Sequence, residues 1–418
     1  MPFRSALSGI NAASEDLRVI GNNVANASTT GFKQSRAEFA DVYAATDGAT
    51  SNAIGAGVRL AAVTQQFGQG NIEFTDSKLD LAINGRGFFV LDDNGSRAYT
   101  RAGAFQVDRE GFVTNSSGYK LVVNNATENG EISGSVGPLQ LDRSNIVPNA
   151  TSRIDVGLNL DSSQKAPSTL PFNPDVPSSF NHSTSLTIYD SLGASHLSTV
   201  YYVKTAVPNE WEMHTFIDGK NAKGGTAPPF SADILTFNGA GGLASINGTA
   251  TPPGEITYPE FDTGNGSEPL DLVVNMMSAT PTTQFGTAFN VNALTQDGFT
   301  SGRLSGMDID DSGIIRARYS NGQTRTLGQV TLADFSNPQG LRQLGDTAWA
   351  ESFSSGVPLV GTPGAGSLGQ LQSGALETSN VDLTGQLVKM ITAQRNFQAN
   401  AQVITTADAV TQTVINIR

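Results

Sequence analysis

The sequence has no cysteine, and only 15% of its 418 residues are charged. The lack of cysteine excludes disulfides, thiolate metal sites and cysteine nucleophiles, and it leaves the redox compartment open. No stretch approaches the ~20 consecutive apolar residues of a membrane-spanning helix, and the opening MPFRSALSG is not a secretory leader. We therefore expect a globular chain without membrane insertion, whose export would need a route other than a cleaved signal.

The net charge of −13 belongs to the middle of the chain. Met1–Ala45 contains four basic and four acidic residues, and Ala375–Arg418 contains three of each. Neutral ends on an acidic body favour self-association through the ends. They argue against nucleic acid as a partner.

Both ends have the pattern of amphipathic helices, over Pro2–Val24 and Val381–Ile417. Apolar residues recur there at spacings of three and four, which places them in one stripe on each helix. The first stripe comprises Phe3, Leu7, Ile10, Leu17 and Val24. The second comprises Leu383, Leu387, Met390, Phe397, Ala401 and Ile404, continued on an adjacent line by Val410 and Val414. We expect the two helices to bury each other's stripes as a coiled coil.

Two interpretations of these helices stay open. One is an ordinary two-helix hairpin that caps a globular domain. The other is an assembly element, because further apolar residues lie beside the stripes and would need additional neighbours, namely Ala6, Ala13, Ile20, Val388 and Ile391.

The segment after the first helix is rich in residues that end helices. Asn22, Asn23 and Asn26 can satisfy backbone groups where the helix stops, Gly31 allows a positive φ, and Phe32 can anchor the departing chain. The full pattern adds Val24, Ala25, Thr29, Thr30 and Lys33. It closely resembles the N-terminal signature of the bacterial flagellar axial proteins, the rod, hook and hook-associated family.

The middle of the chain is predicted to be mainly β. From Leu79, short alternating stretches are separated by glycine-containing turns, which indicates a hairpin meander that also resembles the first β-domain of the family. A Pro/Ser-rich excursion followed by further alternating stretches predicts an inserted β-domain. The C-terminal segment resembles the family's C-terminal signature, with Ser379 or Asn380 able to cap the helix. We assign 1–45 and 375–418 to a helical assembly domain, 46–78 to a connector with a hairpin, 79–145 and 285–374 to a first β-domain, and 146–284 to the inserted β-domain.

No group of residues predicts catalysis, a cofactor or a metal site. The three histidines, His182, His196 and His214, are interpreted as solvated strand positions. The segment from Asp308 begins like a calcium loop, but Tyr319 stands where a bidentate glutamate is needed, so we predict a hairpin turn.

Within the family, the length favours a hook-type subunit over the shorter rod-type subunits. The resemblance implies a nested, mainly β architecture: the terminal helices pair, a discontinuous β-domain follows, and a second β-domain is inserted. It also implies a subunit that polymerises into the flagellar hook, a curved universal joint between rod and filament, and that reaches the cell exterior through the flagellar export apparatus. The implied partners are other copies of the chain and the distal rod, hook cap and hook-filament junction proteins.

Two alternatives remain. The first is a distal rod-like axial protein of the same family. The second is a monomeric secreted adhesin or carbohydrate-binding protein that uses exposed aromatics such as Tyr201, Tyr202 and Trp211, although this alternative leaves the paired helices unexplained.

Overall fold

A computed structural model describes residues 2–42, 55–127, 130–142, 144–252 and 254–416. The chain forms two compact units. Unit 1 contains Met1–Arg143, Ser305–Arg318 and Thr324–Arg418, and unit 2 contains Ser144–Leu304 and Tyr319–Gln323. The elements below are numbered along the chain.

Two long helices at the chain ends pack against each other in unit 1, α1 (Pro2–Ala25) and α2 (Leu383–Asn416). The predicted start of α2 is two residues early, because Asp382 caps it: its Oδ1 accepts a hydrogen bond from Thr384 N at 3.0 Å. Ile417 lies outside the described residues. No helix in the described part of the chain is both long and apolar enough to cross a membrane.

Unit 1 also contains three two-stranded sheets. The first pairs β1 (Ser35–Asp41) with β2 (Val58–Gln65), and this hairpin packs on α1. The second pairs β3 (Ile72–Phe74) with β31 (Ala375–Glu377), and the third pairs β4 (Leu81–Asn84) with β30 (Gln370–Ser373). The last two sheets join segments from opposite ends of the sequence, so they tie the start of the β region to its return.

The large sheet of unit 1 has thirteen strands. The strands are β5 (Phe88–Asp93), β6 (Ser96–Thr100), β7 (Gln106–Val107), β8 (Val113–Thr114), β9 (Lys120–Ala126), β10 (Ile132–Pro138), β23 (Leu304–Ile309), β24 (Ile314–Tyr319), β25 (Thr324–Val330), β26 (Leu332–Asp334), β27 (Arg342–Gly345), β28 (Ala348–Ala350) and β29 (Leu359–Gly361). Eight of these strands are hydrogen-bonded in the order β23-β24-β25-β9-β5-β6-β28-β27. The other five pair with strands of this path or with each other. Phe88 and Phe89 point to opposite faces of β5, and each joins a separate buried cluster.

Unit 2 consists of a five-stranded and a seven-stranded sheet whose apolar faces share one core, which includes Trp211. The five-stranded sheet contains β11 (Arg153–Asp161), β19 (Glu255–Phe261), β20 (Leu270–Asn275), β21 (Thr283–Phe285) and β22 (Asn290–Gln296). The seven-stranded sheet contains β12 (His182–Tyr189), β13 (Ser195–Lys204), β14 (Glu210–Ile217), β15 (Lys220–Asn221), β16 (Asp233–Phe237), β17 (Leu243–Ile246) and β18 (Thr249–Ala250).

The structure confirms a mainly β chain with paired terminal helices. Three segments that we assigned to the first β-domain lie in unit 2, namely 144–145, 285–304 and 319–323, and 285–304 is the largest of them. The reason is strand pairing: β22 adds to β11 in antiparallel register from Ile154↔Gln296 to Asn159↔Asn290. A sequence pattern gives strand positions but not strand partners.

The histidines lie on strands, but the prediction that they are solvated is wrong. His196 and His214 are buried, and His182 is half-buried and stacked on Phe289 with 4.4 Å between ring centroids. Among the described residues, no group of three or more His, Asp or Glu side chains is placed to hold a metal ion.

The segment with calcium-loop character is a hairpin turn between β23 and β24, as predicted. The carboxylate of Asp310 accepts hydrogen bonds from Ser312 N and Ile314 N, both at 3.0 Å. Oδ1 of Asp310 therefore serves the backbone of the turn, and Oδ2 lies 3.1 Å from Arg316 Nη1.

Candidate assembly interface

The paired helices meet through small residues, and this corrects the predicted stripes. Ala6, Ala13 and Ile20, spaced seven residues apart, are the buried apolar residues of α1, which packs on both α2 and the β1-β2 hairpin. A Cβ added at Gly9 would lie 2.5 Å from Asn400 Oδ1 of α2. Glycine at position 9 thus lets the Asn400 side chain of α2 lie directly against α1, and the buried face lies one position around the helix from the predicted stripe.

Many of the large apolar residues in the predicted stripes face solvent. Phe3, Leu7, Leu383, Leu387, Phe397 and Val410 are exposed. The stripe members Ile10, Leu17, Val24, Met390, Ala401 and Ile404 are half-buried. The side chain of Val414 lies outside the described part of the chain. The prediction that the stripes bury each other is therefore wrong for the exposed group, while their role in assembly stays a prediction.

Asparagines in the last turn of α1 and directly after it organise the exit from the helix. Asn23 is buried; its Nδ2 donates to Ser35 O and its Oδ1 accepts from Ser35 N, both at 2.8 Å. Asn26 Nδ2 donates to Asn22 O at 2.9 Å, one turn back along the helix. Gly31 has φ +70, and an added Cβ there would lie 2.4 Å from Ala102 N, so this turn requires glycine.

Phe32 is half-buried and joins Asn22 and Asn26 in lining a cleft of about 420 Å³. The opposite wall of the cleft comes from the β27-β28 hairpin and includes Trp349. The structure therefore brings these three predicted residues together at the base of the helix pair.

A buried ion cluster ties this exit to the returning chain. Lys33 Nζ donates to Glu377 Oε1 at 2.5 Å and to Gly68 O at 2.8 Å, and both charged side chains are fully buried. The same Oε1 accepts from Gly70 N at 2.8 Å. Arg101 Nη1 lies 3.6 Å from Glu377 Oε2, which accepts no hydrogen bond from the described residues.

Burial lowers the pKa of Lys33, and the carboxylate of Glu377 opposes this shift. Burial likewise lowers the pKa of Arg101, again opposed by Glu377. One carboxylate therefore holds two desolvated cations, and the three side chains fix the chain entering the β region against the chain leaving it.

The side-chain amides of Asn380 and Gln386 add further hydrogen bonds between the N-terminal and C-terminal segments. Asn380 Oδ1 accepts from Gln34 N at 2.8 Å, and its Nδ2 donates to Gln66 O at 2.7 Å. Gln386, buried in α2, donates from Nε2 to Gln34 Oε1 at 2.9 Å. Glu377, Arg101 and Gln386 are not predicted from the sequence as interface residues, because no local pattern indicates that they meet the N-terminal segment.

Four family models match the chain in order. Residues 3–33 match the flagella basal body rod protein, 82–158 the flagellar hook protein FlgE/F/G D1 domain, 159–299 the flagellar basal body protein FlaE D2 domain, and 372–417 the flagellar basal body rod FlgEFG protein C-terminal model.

Curated relatives match over the full length. The chain is 39% identical to the flagellar hook protein FlgE of Escherichia coli (strain K12) and 38% identical to that of Salmonella typhimurium, with 100% of each chain covered. It is 31% identical to the flagellar hook protein FlgE of Borreliella burgdorferi, covering 99% of this chain and 98% of that one. The crystal structure of Helicobacter pylori flagellar hook protein FlgE2 shares the fold with a TM-score of 0.55 at 14% identity, covering 73% of this chain and 100% of that chain.

Proposed function

This chain belongs to the flagellar hook protein family, and we propose that it is a structural subunit that polymerises through its terminal helices into a flexible, curved flagellar hook. In this proposal the tube acts as a universal joint between the rod and the filament. The full-length match to hook proteins supports a hook subunit over a distal rod-like axial protein.

The observation that carries the proposal is the outward apolar surface of the helix pair. Leu7, Leu387, Val388 and Ile391 are exposed by 54%, 50%, 60% and 51%. Complete burial of such a side chain contributes about 1.5–3 kcal/mol. Neighbouring copies that cover these residues would stabilise a polymer strongly, while the helix pair alone leaves them in water.

The charge distribution supports the same role. The ends carry no net charge, whereas the chain as a whole carries −13. The helix pairs of neighbouring copies can therefore approach each other without a large electrostatic cost. The acidic β units keep free subunits soluble. The buried cluster of Lys33, Arg101 and Glu377 would transmit load between the helices and the β region of unit 1, because it joins both chain ends to that region.

We further propose the partners that accompany this role. They are other copies of the chain in a helical homopolymer, the distal rod, the hook cap, the hook-filament junction proteins and the flagellar export apparatus. The finished polymer would stand at the flagellar basal body and hook, outside the cell.

The alternative of a monomeric adhesin has less support. Two of the aromatic residues available for ligand contact in that interpretation, Tyr202 and Trp211, are buried in the core of unit 2. The relatives are structural proteins, which supports a role without a chemical step.

Deletion of residues 1–45 tests the proposal. We expect the full chain to form sedimentable tubes and the truncated chain to stay in the supernatant at the same concentration. Trp349 of unit 1 and Trp211 of unit 2 are both buried, so the total tryptophan fluorescence reports whether the two units stay folded after the deletion. Polymerisation of the truncated chain at the concentration that suffices for the full chain would overturn the proposal.

A further inference from the structure

Phe353 has the most exposed side chain among the large apolar residues that the structure describes. Its ring is fully exposed, and within the next seven residues Val357, Leu359 and Val360 are exposed by 86%, 67% and 49%. These four residues, here called the apolar edge, belong to unit 1. Isolated exposed apolar residues are common in proteins, but four within eight residues mark an interaction surface.

The turn that carries Phe353 is held firmly. Ser355 is fully buried; its Oγ donates to Ser352 O at 2.8 Å and accepts from Ser352 N at 2.9 Å. Ser352 Oγ donates to Gly340 O at 2.5 Å, and Asn337 Nδ2 donates to Ser354 O at 3.0 Å. The backbone of the turn is therefore fixed, while the ring of Phe353 is presented to solvent in a defined position.

The strand that follows is unprotected. β29 pairs with β26 and with no other strand in the described residues. Proteins commonly guard edge strands with charged side chains, yet the sequence has no charged residue from Ser352 to Leu376. An exposed apolar edge strand without charged residues would promote aggregation of the free subunit. We therefore infer that another surface covers the apolar edge in the functional state.

The absence of charge also indicates what covers the edge. Copies of a chain with net charge −13 repel one another, and an uncharged stretch of 25 residues is where two copies can touch at the lowest electrostatic cost. A basic partner would instead be matched by acidic groups, which this stretch lacks.

We propose that the apolar edge is an interface between copies of this chain, in which Phe353 is the anchor that enters the neighbouring subunit. This inference rests on the proposed polymerisation. It adds a second contact, in the β region of unit 1 and separate from the helix pair. The contact is heterologous, so Phe353 meets a different surface on its neighbour, as an open helical polymer requires.

Two variants of the full chain test the anchor. Phe353→Ser removes the ring, and Phe353→Leu is the matched control because it keeps a large apolar side chain. Burial of a phenylalanine in the neighbour would make the critical concentration for polymerisation of Phe353→Ser at least about tenfold higher, and that of Phe353→Leu change by less than about threefold. The fluorescence of buried Trp349 should be the same in both free variants, since the ring of Phe353 is fully exposed.

A second measurement uses the absence of cysteine in the chain. When a trace of fluorophore-labelled Phe353→Cys is co-polymerised with an excess of the unmodified chain, the fluorophore should become protected from a soluble quencher, whereas it stays accessible in the free labelled subunit. Equal quenching in both states, or equal critical concentrations for wild type and Phe353→Ser, would overturn this inference alone. Failure of the unmodified chain to polymerise would overturn the proposed function and this inference with it.

Discussion

The amine of Lys33 lies 2.5 Å from Oε1 of Glu377, and neither side chain is exposed to solvent. Lys33 follows the N-terminal helix and Glu377 precedes the C-terminal helix. The guanidinium of Arg101 approaches the other carboxylate oxygen to 3.6 Å. A single buried carboxylate therefore connects both chain ends to the β region of unit 1.

Substitution Glu377→Gln should destabilise unit 1 strongly. It leaves Lys33 and Arg101 buried without their shared anion, and breaking a buried pair in this way costs about 3–5 kcal/mol. Urea unfolding followed by the fluorescence of Trp349 measures the loss, in a Trp211→Phe background that removes the second tryptophan. The matched control is Glu15→Gln, which removes the solvent-exposed pair with Arg18 and should leave the unfolding midpoint almost unchanged. Equal midpoints for Glu377→Gln and Glu15→Gln would contradict this account of the cluster.

Two glycines of α1 should respond in opposite ways to alanine. At Gly21 an added Cβ meets nothing within 4 Å, so Gly21→Ala should stabilise the helix by about 0.5–1 kcal/mol. At Gly9 the same Cβ would lie 2.5 Å from Asn400, so Gly9→Ala must displace that side chain and should lose this gain. Thermal melting of the helices followed by circular dichroism at 222 nm distinguishes the two. A similar gain at both positions would show that α1 and α2 do not approach closely at Gly9.

Unit 2 contains a histidine held between two carboxylates, which predicts a pH dependence. His196 Nδ1 lies 2.6 Å from Asp218 Oδ2, and its Nε2 lies 3.1 Å from Asp190 Oδ2. Burial acts to lower the pKa of His196, but the bonds to Asp218 and Asp190 outweigh it, so the pKa is raised above 6.5. Burial acts to raise the pKa of Asp190, but bonds from Asn265 and His196 outweigh it and lower the pKa to about 2.

A group whose pKa differs between the folded and the unfolded chain makes the stability depend on pH. The imidazolium of His196 contributes its full stabilisation below pH 6.5, and the contribution is lost as the pH rises through the raised pKa. The carboxylate of Asp190 contributes above pH 3.8, and this contribution is lost as the pH falls toward about 2. In a Trp349→Phe background, which leaves Trp211 as the single tryptophan, the urea midpoint should therefore fall as the pH rises above about 6.5. His196→Asn should flatten that slope, and an unchanged slope would refute the assignment.

The sequence predicts where the helices and strands of this protein lie better than it predicts which of them contact each other. The helical spacing in Pro2–Val24 and the asparagines near its end are local signals, and the structure places α1 and its exit there. The pairing of Lys33 with Glu377 spans 344 residues, and no local pattern carries it. The residues that form the contact between the helices were predicted wrongly for a different reason. A hydrophobic pattern gives more weight to Leu7 than to Ala6, whereas close packing between helices selects the smaller side chain.

In the proposed polymer, the outward apolar side of the helix pair is an interface between subunits. The most direct test is the critical concentration for polymerisation of the double variant Leu387→Ser/Ile391→Ser. Both side chains are about half-exposed in the single chain, at 50% and 51%. The matched control is Gln394→Ser/Gln398→Ser, a pair of exposed polar residues with the same spacing on α2.

We expect the apolar double variant to polymerise only at a concentration at least about tenfold higher than wild type, because two apolar side chains are no longer buried by neighbours. The polar double variant should polymerise near the wild-type concentration, and both free chains should keep the Trp349 and Trp211 fluorescence of wild type. Polymerisation of Leu387→Ser/Ile391→Ser at the wild-type critical concentration would contradict the account.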